Sequence, residues 1–270
     1  MNYITNHAIL SMYDHPYGEK TDELLYGITL DVVERQGKWK KIKTEYGYEG
    51  WILEELHNEI QQKEIWMEEF PRLVVTVPWL DILTHPSIHS KAIKTIPKGS
   101  LLFWMGEKQA GNWYCVRLCD GQYGWVRKEW VRFWEKGELL EKSSKKKNEW
   151  IRRQIIEDAR QYQMTAYRWG GKTPYGVDCS GFCSIVYWMS GIIIYRDAQM
   201  REDFPVHPIS KDRLEQGDLL YYPGHVALYL GNQSYIHASG SAAKVVINSL
   251  DPSKENYRED LAFPQFGSVF

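Results

Sequence analysis

The chain has 270 residues, 43% of them hydrophobic and 25% charged, with 12 Trp, 18 Tyr and a formal net charge of −2. This composition describes a globular protein with room for two or three cores. Its near-neutral balance leaves no basic field for a polyanion, which excludes nucleic acid as a partner. No stretch approaches the roughly 18 apolar residues of a membrane helix, so no membrane insertion is expected. The opening residues MNYITNHAILSMYDHPYGEK show no basic region followed by an apolar run. They predict a cytoplasmic protein, or one of the cell envelope if a leader has been cleaved.

Before residue 135 the sequence repeats itself once. His15-Pro16 recurs as His85-Pro86, Gly27 as Gly99, GKW at 37–39 as GNW at 111–113, and EGW ending at Trp51 as YGW ending at Trp125. The offset drifts from 70 to 72 to 74, as loop insertions make it do. Between these landmarks lie short alternating runs such as ITLDVVER, WKKIKT, SLLFWMG and WYCVRLC, broken by Gly and polar turns. The pattern predicts one small all-β barrel made twice, at residues 1–60 and 72–134. The order of Gly-x-Trp, a strand, then Gly-Trp resembles the bacterial Src-homology-3-like domains carried by many cell-wall enzymes. NEIQQKEIWMEEFPRL reads as a helical connector over 61–71, ended by Pro71. EKGELLEKSSKKKNE reads as a polar linker over 135–145, leaving a last domain at 146–270.

Four cysteines fall in two i, i+4 pairs, Cys115/Cys119 and Cys179/Cys183. A strand through WYCVRLC sets the first pair about 13 Å apart, too far to share a metal. Cys115 and Cys119 therefore read as packed thiols, and no metal or cofactor is implied.

The stretch AYRWGGKT at 166–173 has part of a phosphate-loop pattern, but its context opposes that function. Apolar residues at 151, 155, 159 and 162 predict a helix before it, where a phosphate loop needs a strand. Tyr167, Arg168 and Trp169 occupy positions that need permissive backbone, and Pro174 and Gly176 deny a following helix. The next segment, GVDCSGFCSIVYWMSG, predicts a helix capped by Asp178 and ended near Gly191, with Phe182, Ile185, Val186 and Met189 on its apolar face. Cys179 then lies in the first turn, where free N–H groups and the helix dipole favour thiolate. Cys183, one turn deeper, reads as core.

GDLLYYPGHVALYLGNQSYIHASG contains two alternating strands around a GNQ turn, with His225 opening one and His237 in the next. A three-residue loop at 231–233 puts both imidazoles on one sheet face, with His225 opposite Ser239 and His237 opposite Ala227; an even loop puts them on opposite faces. In the first register they are diagonal neighbours, and a neutral imidazole oriented by a second polar group is a base for a thiol.

YRWGG...GVDCSGF, GDLLYY...GHVALYLG and YIHASG, in this order, resemble the NlpC-type cysteine peptidases of bacterial cell-wall turnover, over most of residues 150–250. The resemblance implies an α+β architecture: a circularly permuted papain-like domain preceded by the two Src-homology-3-like barrels. It is most similar to γ-D-glutamyl-L-diamino acid endopeptidases, with a peptidoglycan-derived peptide as substrate. It implies Cys179 as nucleophile, His225 as base and His237 as the residue that orients it. Tyr167 is the implied helper at the oxyanion, and Asp178 and Ser180 are implied in substrate binding. RDA at 196–198 resembles the segment of the subgroup that requires a free amino-terminal L-alanine. This makes Asp197 the implied ammonium ligand, with Tyr48 of the first barrel beside it. Arg201 departs from the glutamine expected there. Two alternatives stand: an amidase or acyltransferase on the same thiol fold, and a wall-binding protein that has lost activity.

Overall fold

The computed structural model describes residues 2–53, 60–64, 66–137 and 144–270. The chain divides into two compact units, Met1–Glu135 and Lys136–Phe270.

The first unit holds two seven-stranded antiparallel sheets with the same order of pairing. Each strand of the first has a counterpart in the second, and the offset grows from 70 residues (Ile9 to Trp79) to 74 (Trp39 to Trp113). The correspondence includes a strand that the sequence does not announce. Ile60–Gln62 pairs with Tyr3–Thr5, as Val131–Trp134 pairs with Arg72–Val75. The helical connector expected over 61–71 is thereby corrected: residues 61 and 62 complete the first sheet, and helix is confined to the single turn Trp66–Glu69. The unpaired edge of Tyr3–Thr5 offers backbone partners that outweigh the helix propensity of a Glu/Gln/Lys-rich run.

The two sheets share part of their packing. Ile4 and Tyr26 of the first copy are buried in one cluster with Leu73, Val75, Leu80 and Phe103 of the second. Cys119, just past the strand Trp113–Arg117, donates its N–H to Tyr26 Oη at 2.8 Å, and its thiol lies 3.6 Å from the Thr5 carbonyl. Cys119 and Cys115 are both buried packing residues. Burial drives the Cys119 thiol up to about 12, so it stays protonated.

In the second unit a long helix, Lys145–Arg160, is capped by Ser144, which accepts a hydrogen bond from the Lys147 N–H. Of the linker expected over 135–145, residues 138–143 lie outside the described residues, and Lys145 already belongs to this helix. The second helix, Cys179–Trp188, packs between that helix and the sheet. Nine of its ten residues are buried, so the single apolar face expected from the sequence is corrected to a helix enclosed all round. Gly191 (φ 78°) ends it: its N–H bonds the Trp188 carbonyl at 2.8 Å and the Ile192 N–H bonds the Tyr187 carbonyl at 3.0 Å, the Schellman pattern. Six antiparallel strands follow in spatial order His207–Ile209, Gln265–Ser268, Leu219–Tyr222, His225–Gly231, Ser234–Ser239 and Lys244–Ser249. Buried Arg152 ties the long helix to this sheet through Asp218 and the Gln216 carbonyl, both at 2.8 Å.

Candidate active site

The Cys179 helix starts from a fully engaged cap. Asp178 Oδ1 accepts from the Gly181 N–H at 2.6 Å and its Oδ2 from the Gly170 N–H at 2.8 Å, which locks the Tyr-Arg-Trp-Gly-Gly turn against the helix start. Arg196 closes the remaining positions with Nη1–Oδ1 and Nη2–Oδ2 contacts of 3.1 and 3.0 Å, and donates to Ser180 Oγ at 2.9 Å. Asp178 and Ser180 are 5% and 8% exposed. Both side chains are engaged in positioning the nucleophile. Asp197, the next residue after the anchored Arg196, is half-buried.

Cys179 is 6% exposed. Burial raises its thiol above the ordinary value and the Asp178 carboxylate adds to this; hydrogen bonds from the Val226 and Ser180 N–H groups and the Arg196 charge work in the opposite direction but do not win. The thiolate that the helix start predicts is therefore not the resting state. The Val226 N–H bond sets the thiol beside the start of the strand that carries His225.

His225 Nε2 lies 2.7 Å from His237 Nδ1, with the rings nearly perpendicular at 82°. The pairing Leu228↔Ile236 and Tyr229↔Tyr235 gives the one-face register. The means differ from the three-residue loop expected. Gly231 pairs with Ser234 across a two-residue turn, Asn232–Gln233, with φ of 49° and 57°, and a bulge at Leu230 takes up the odd residue. Burial lowers His225 to about 4, helped by His237 and Arg258. Burial also lowers His237, against a hydrogen bond from its Nε2 to Asn248 Oδ1 at 3.0 Å that acts in the other direction. The thiol and both imidazoles are thus neutral.

Tyr167 belongs to the same pocket wall. Its N–H bonds the Ala243 carbonyl at 2.9 Å. Burial first, then the proximity of Cys179 and Asp178, pushes its phenol up to about 12, so it remains a hydrogen-bond donor at neutral pH. Arg201 is exposed and turned to Asp203, at 2.8 and 3.0 Å, over the Tyr195 ring. Tyr48 stands in the first unit, in the turn before Glu49–Leu53, where its N–H bonds Thr44 Oγ1 at 3.0 Å. Two groups escaped the sequence reading. Asn248 lies on the strand beyond His237, where carrying the same diagonal one strand further would have found it. Arg258, chelated by Asp260 at 2.8 and 2.6 Å, contributes charge near both histidines from a loop with no pattern of its own.

A protonated thiol on a helix start, a neutral imidazole beside it and a phenolic donor on the wall define a papain-like thiol hydrolase. Residues 164–261 match the NlpC/P60 family. Over its full length the chain is 36% identical to dipeptidyl-peptidase 6 of Lysinibacillus sphaericus, covering 100% of both proteins. It is 26% identical to a γ-D-glutamyl-L-lysine dipeptidyl-peptidase of Bacillus cereus, over 85% of this chain and 70% of that protein. A crystal structure of an NlpC/P60 family protein from Bacillus cereus superposes with a TM-score of 0.76 at 19% identity, covering 99% of this chain and 98% of that one, which shows a shared fold. The chain belongs to the NlpC/P60 family, and it is a peptidase with Src-homology-3-like domains before a papain-like catalytic domain.

Proposed function

We propose that this peptidase hydrolyses the γ-D-glutamyl–diamino acid bond of peptidoglycan-derived peptides that carry a free amino-terminal L-alanine. The observation that carries this reading is the anchored Arg196–Asp197 segment beside a buried thiol–imidazole pair. A carboxylate one residue from the side chain that anchors the nucleophile's helix suits a substrate that carries a free ammonium group. The names of the two relatives, both dipeptidyl-peptidases, support this reading.

In the proposed reaction His225 takes the Cys179 proton as the sulfur attacks the γ-carbonyl carbon. The oxyanion is met by the Cys179 N–H, in the helix turn that lacks intrahelical partners, and by the Tyr167 hydroxyl. Collapse breaks the C–N bond, His225 returns its proton to the leaving amine, and a thioester remains. Water, deprotonated by His225, then attacks the thioester and expels the Cys179 thiolate, which recovers its proton.

Incubation with L-Ala-γ-D-Glu-diaminopimelate and its lysine counterpart, read by mass spectrometry, is expected to give L-Ala-γ-D-Glu and the free diamino acid. Transfer of the dipeptide to an added amine in preference to water would favour an acyltransferase, and an intact substrate would defeat the reading. Within the same proposal the enzyme acts in the cytoplasm on recycled fragments. Four free buried cysteines suit a reducing compartment. Fractionation of the native host tests this, and recovery from the envelope would overturn it.

A further inference from the structure

The hydrogen-bond line that passes from His225 to His237 continues for three more links. His237 Nε2 lies 3.0 Å from Asn248 Oδ1, Asn248 Nδ2 lies 2.6 Å from the Asn256 carbonyl oxygen, and Asn256 Nδ2 lies 3.1 Å from the Ile247 carbonyl oxygen. The geometry follows from the sheet. His237 pairs opposite Val246, so Asn248 is its diagonal neighbour, the same step that relates His225 to His237 one strand earlier.

Only one arrangement of protons satisfies this line. A backbone carbonyl can only accept, so the Asn248 amide must present its NH2 to Asn256 and its oxygen to His237. That oxygen can only accept, so His237 Nε2 carries a hydrogen. His237 is buried and neutral, which leaves its Nδ1 bare, and a bare Nδ1 at 2.7 Å requires His225 Nε2 to donate. Neutral His225 then has its lone pair on Nδ1, the nitrogen left free to receive the thiol proton. The opposite arrangement would place a hydrogen on that nitrogen and disable the base.

We propose that Asn248 is a positioning residue that sets the tautomers of both histidines, with Asn256 fixing the direction of its amide. The proposal rests on His225 as the base. It is tested first in the resting protein, without substrate. Heteronuclear NMR of protein labelled with 15N-histidine, at neutral pH, should show both residues as Nε2–H tautomers; a Nδ1–H tautomer at His237 would overturn the proposal. Asn248→Leu removes the acceptor at similar volume, and is expected to mix the His237 tautomers and lower kcat by about a hundredfold with KM unchanged. That loss stays below the roughly 10⁴-fold seen when a triad histidine is held in the wrong tautomer. Asn248→Asp restores an acceptor but not the tie to Asn256, and should recover kcat to within about tenfold of the parent. Equal impairment of the two variants would mark a merely structural role and sink the idea, as would unchanged kcat and unchanged tautomers in a folded Asn248→Leu. Should Asn248→Leu fail to fold, the parent spectrum and the Asn248→Asp rate still decide. Full activity in His225→Ala would defeat the base assignment instead, and leaves the tautomer spectrum of the parent as a separate result.

Discussion

Arg196 and Asp178 are joined through both guanidinium nitrogens and both carboxylate oxygens, at 3.1 and 3.0 Å, with each partner nearly sealed from solvent. The pair fixes the start of the Cys179 helix and, through the chain, the place of Asp197. Arg196→Met should cost about 3–5 kcal/mol of stability, the usual penalty for stranding one member of a buried pair. Arg196→Met with Asp178→Asn should recover part of it. Chemical denaturation of the two variants measures this, and equal loss in both would show that the pair has no coupling.

Gly181 lies in the same knot. A methyl group at this position would overlap the Gly171 carbonyl oxygen and crowd Asp178 and Arg196. Gly181→Ala is expected to destabilise by about 1–3 kcal/mol through overpacking and to lower kcat. A parent-like melting temperature and rate would refute this.

Cys179→Ser should abolish turnover and leave the melting transition in place, whereas Cys183→Ser should stay active. Cys183 is fully buried and its thiol is pushed well up by burial, so it offers no nucleophile. Iodoacetamide followed by peptide mapping should find Cys179 labelled first; first labelling at Cys183 contradicts the assignment. Chelators should leave the rate unchanged.

The neutral thiol–imidazole pair makes a distinctive pH prediction. The acidic limb of kcat/KM should fall near pH 4, where His225 takes up a proton. Alkylation of Cys179 should rise with pH through neutrality and beyond pH 9, because the thiol is raised. A resting thiolate–imidazolium pair would instead give alkylation independent of pH across that range. The sign for stability follows from the same values. Above the ordinary imidazole value of about 6.5 both folded and unfolded states carry neutral His225. As pH falls from there to about 4 the unfolded state binds a proton that the folded state refuses, so stability declines through that window. Thermal melts at pH 7 and pH 5 should differ in this direction.

Under the proposed function, acetylating the amino group of the substrate is expected to lower kcat/KM by about a hundredfold or more, since a site that recognises a charged group rejects analogues that lack it. Asp197→Ala should remove most of that preference. Equal cleavage of free and acetylated peptides by the parent would remove the amine-recognition role from Asp197.

Much of this was legible in the sequence because it rests on local or repeated patterns. The doubled barrel shows in Gly27/Gly99 and in the two Gly-x-Trp landmarks, and the Cys179 helix in its Asp178 cap and Gly191 stop. The face shared by His225 and His237 was one of two registers left open by the hairpin count, and a bulge at Leu230 rather than a three-residue loop selects it. What stayed hidden depends on tertiary surroundings. Ile60–Gln62 becomes a strand only because Tyr3–Thr5 has an open edge. The charge state of Cys179 is set by burial, which the helix-start position does not encode and which outweighs it. The bonds from Arg196 that tie Asp178 and Ser180 to the start of the Cys179 helix come from a residue distant in sequence.

The bulge at Leu230 constrains how this hairpin can change over evolutionary time. With residues 226–236 between the histidines, a two-residue turn alone would aim the imidazoles to opposite sides, and the bulge reconciles the count. Losing the bulged residue leaves every earlier strand pair as it was, because the regular hairpin then closes on the same partners. A residue gained in the turn is absorbed by a longer loop between Gly231 and Ser234, whereas one gained within either strand needs a second bulge or slides the base along its strand away from its partner. Insertions are therefore expected in the turn rather than in the strands, while Asn232 and Gln233 remain exchangeable for other residues that tolerate positive φ.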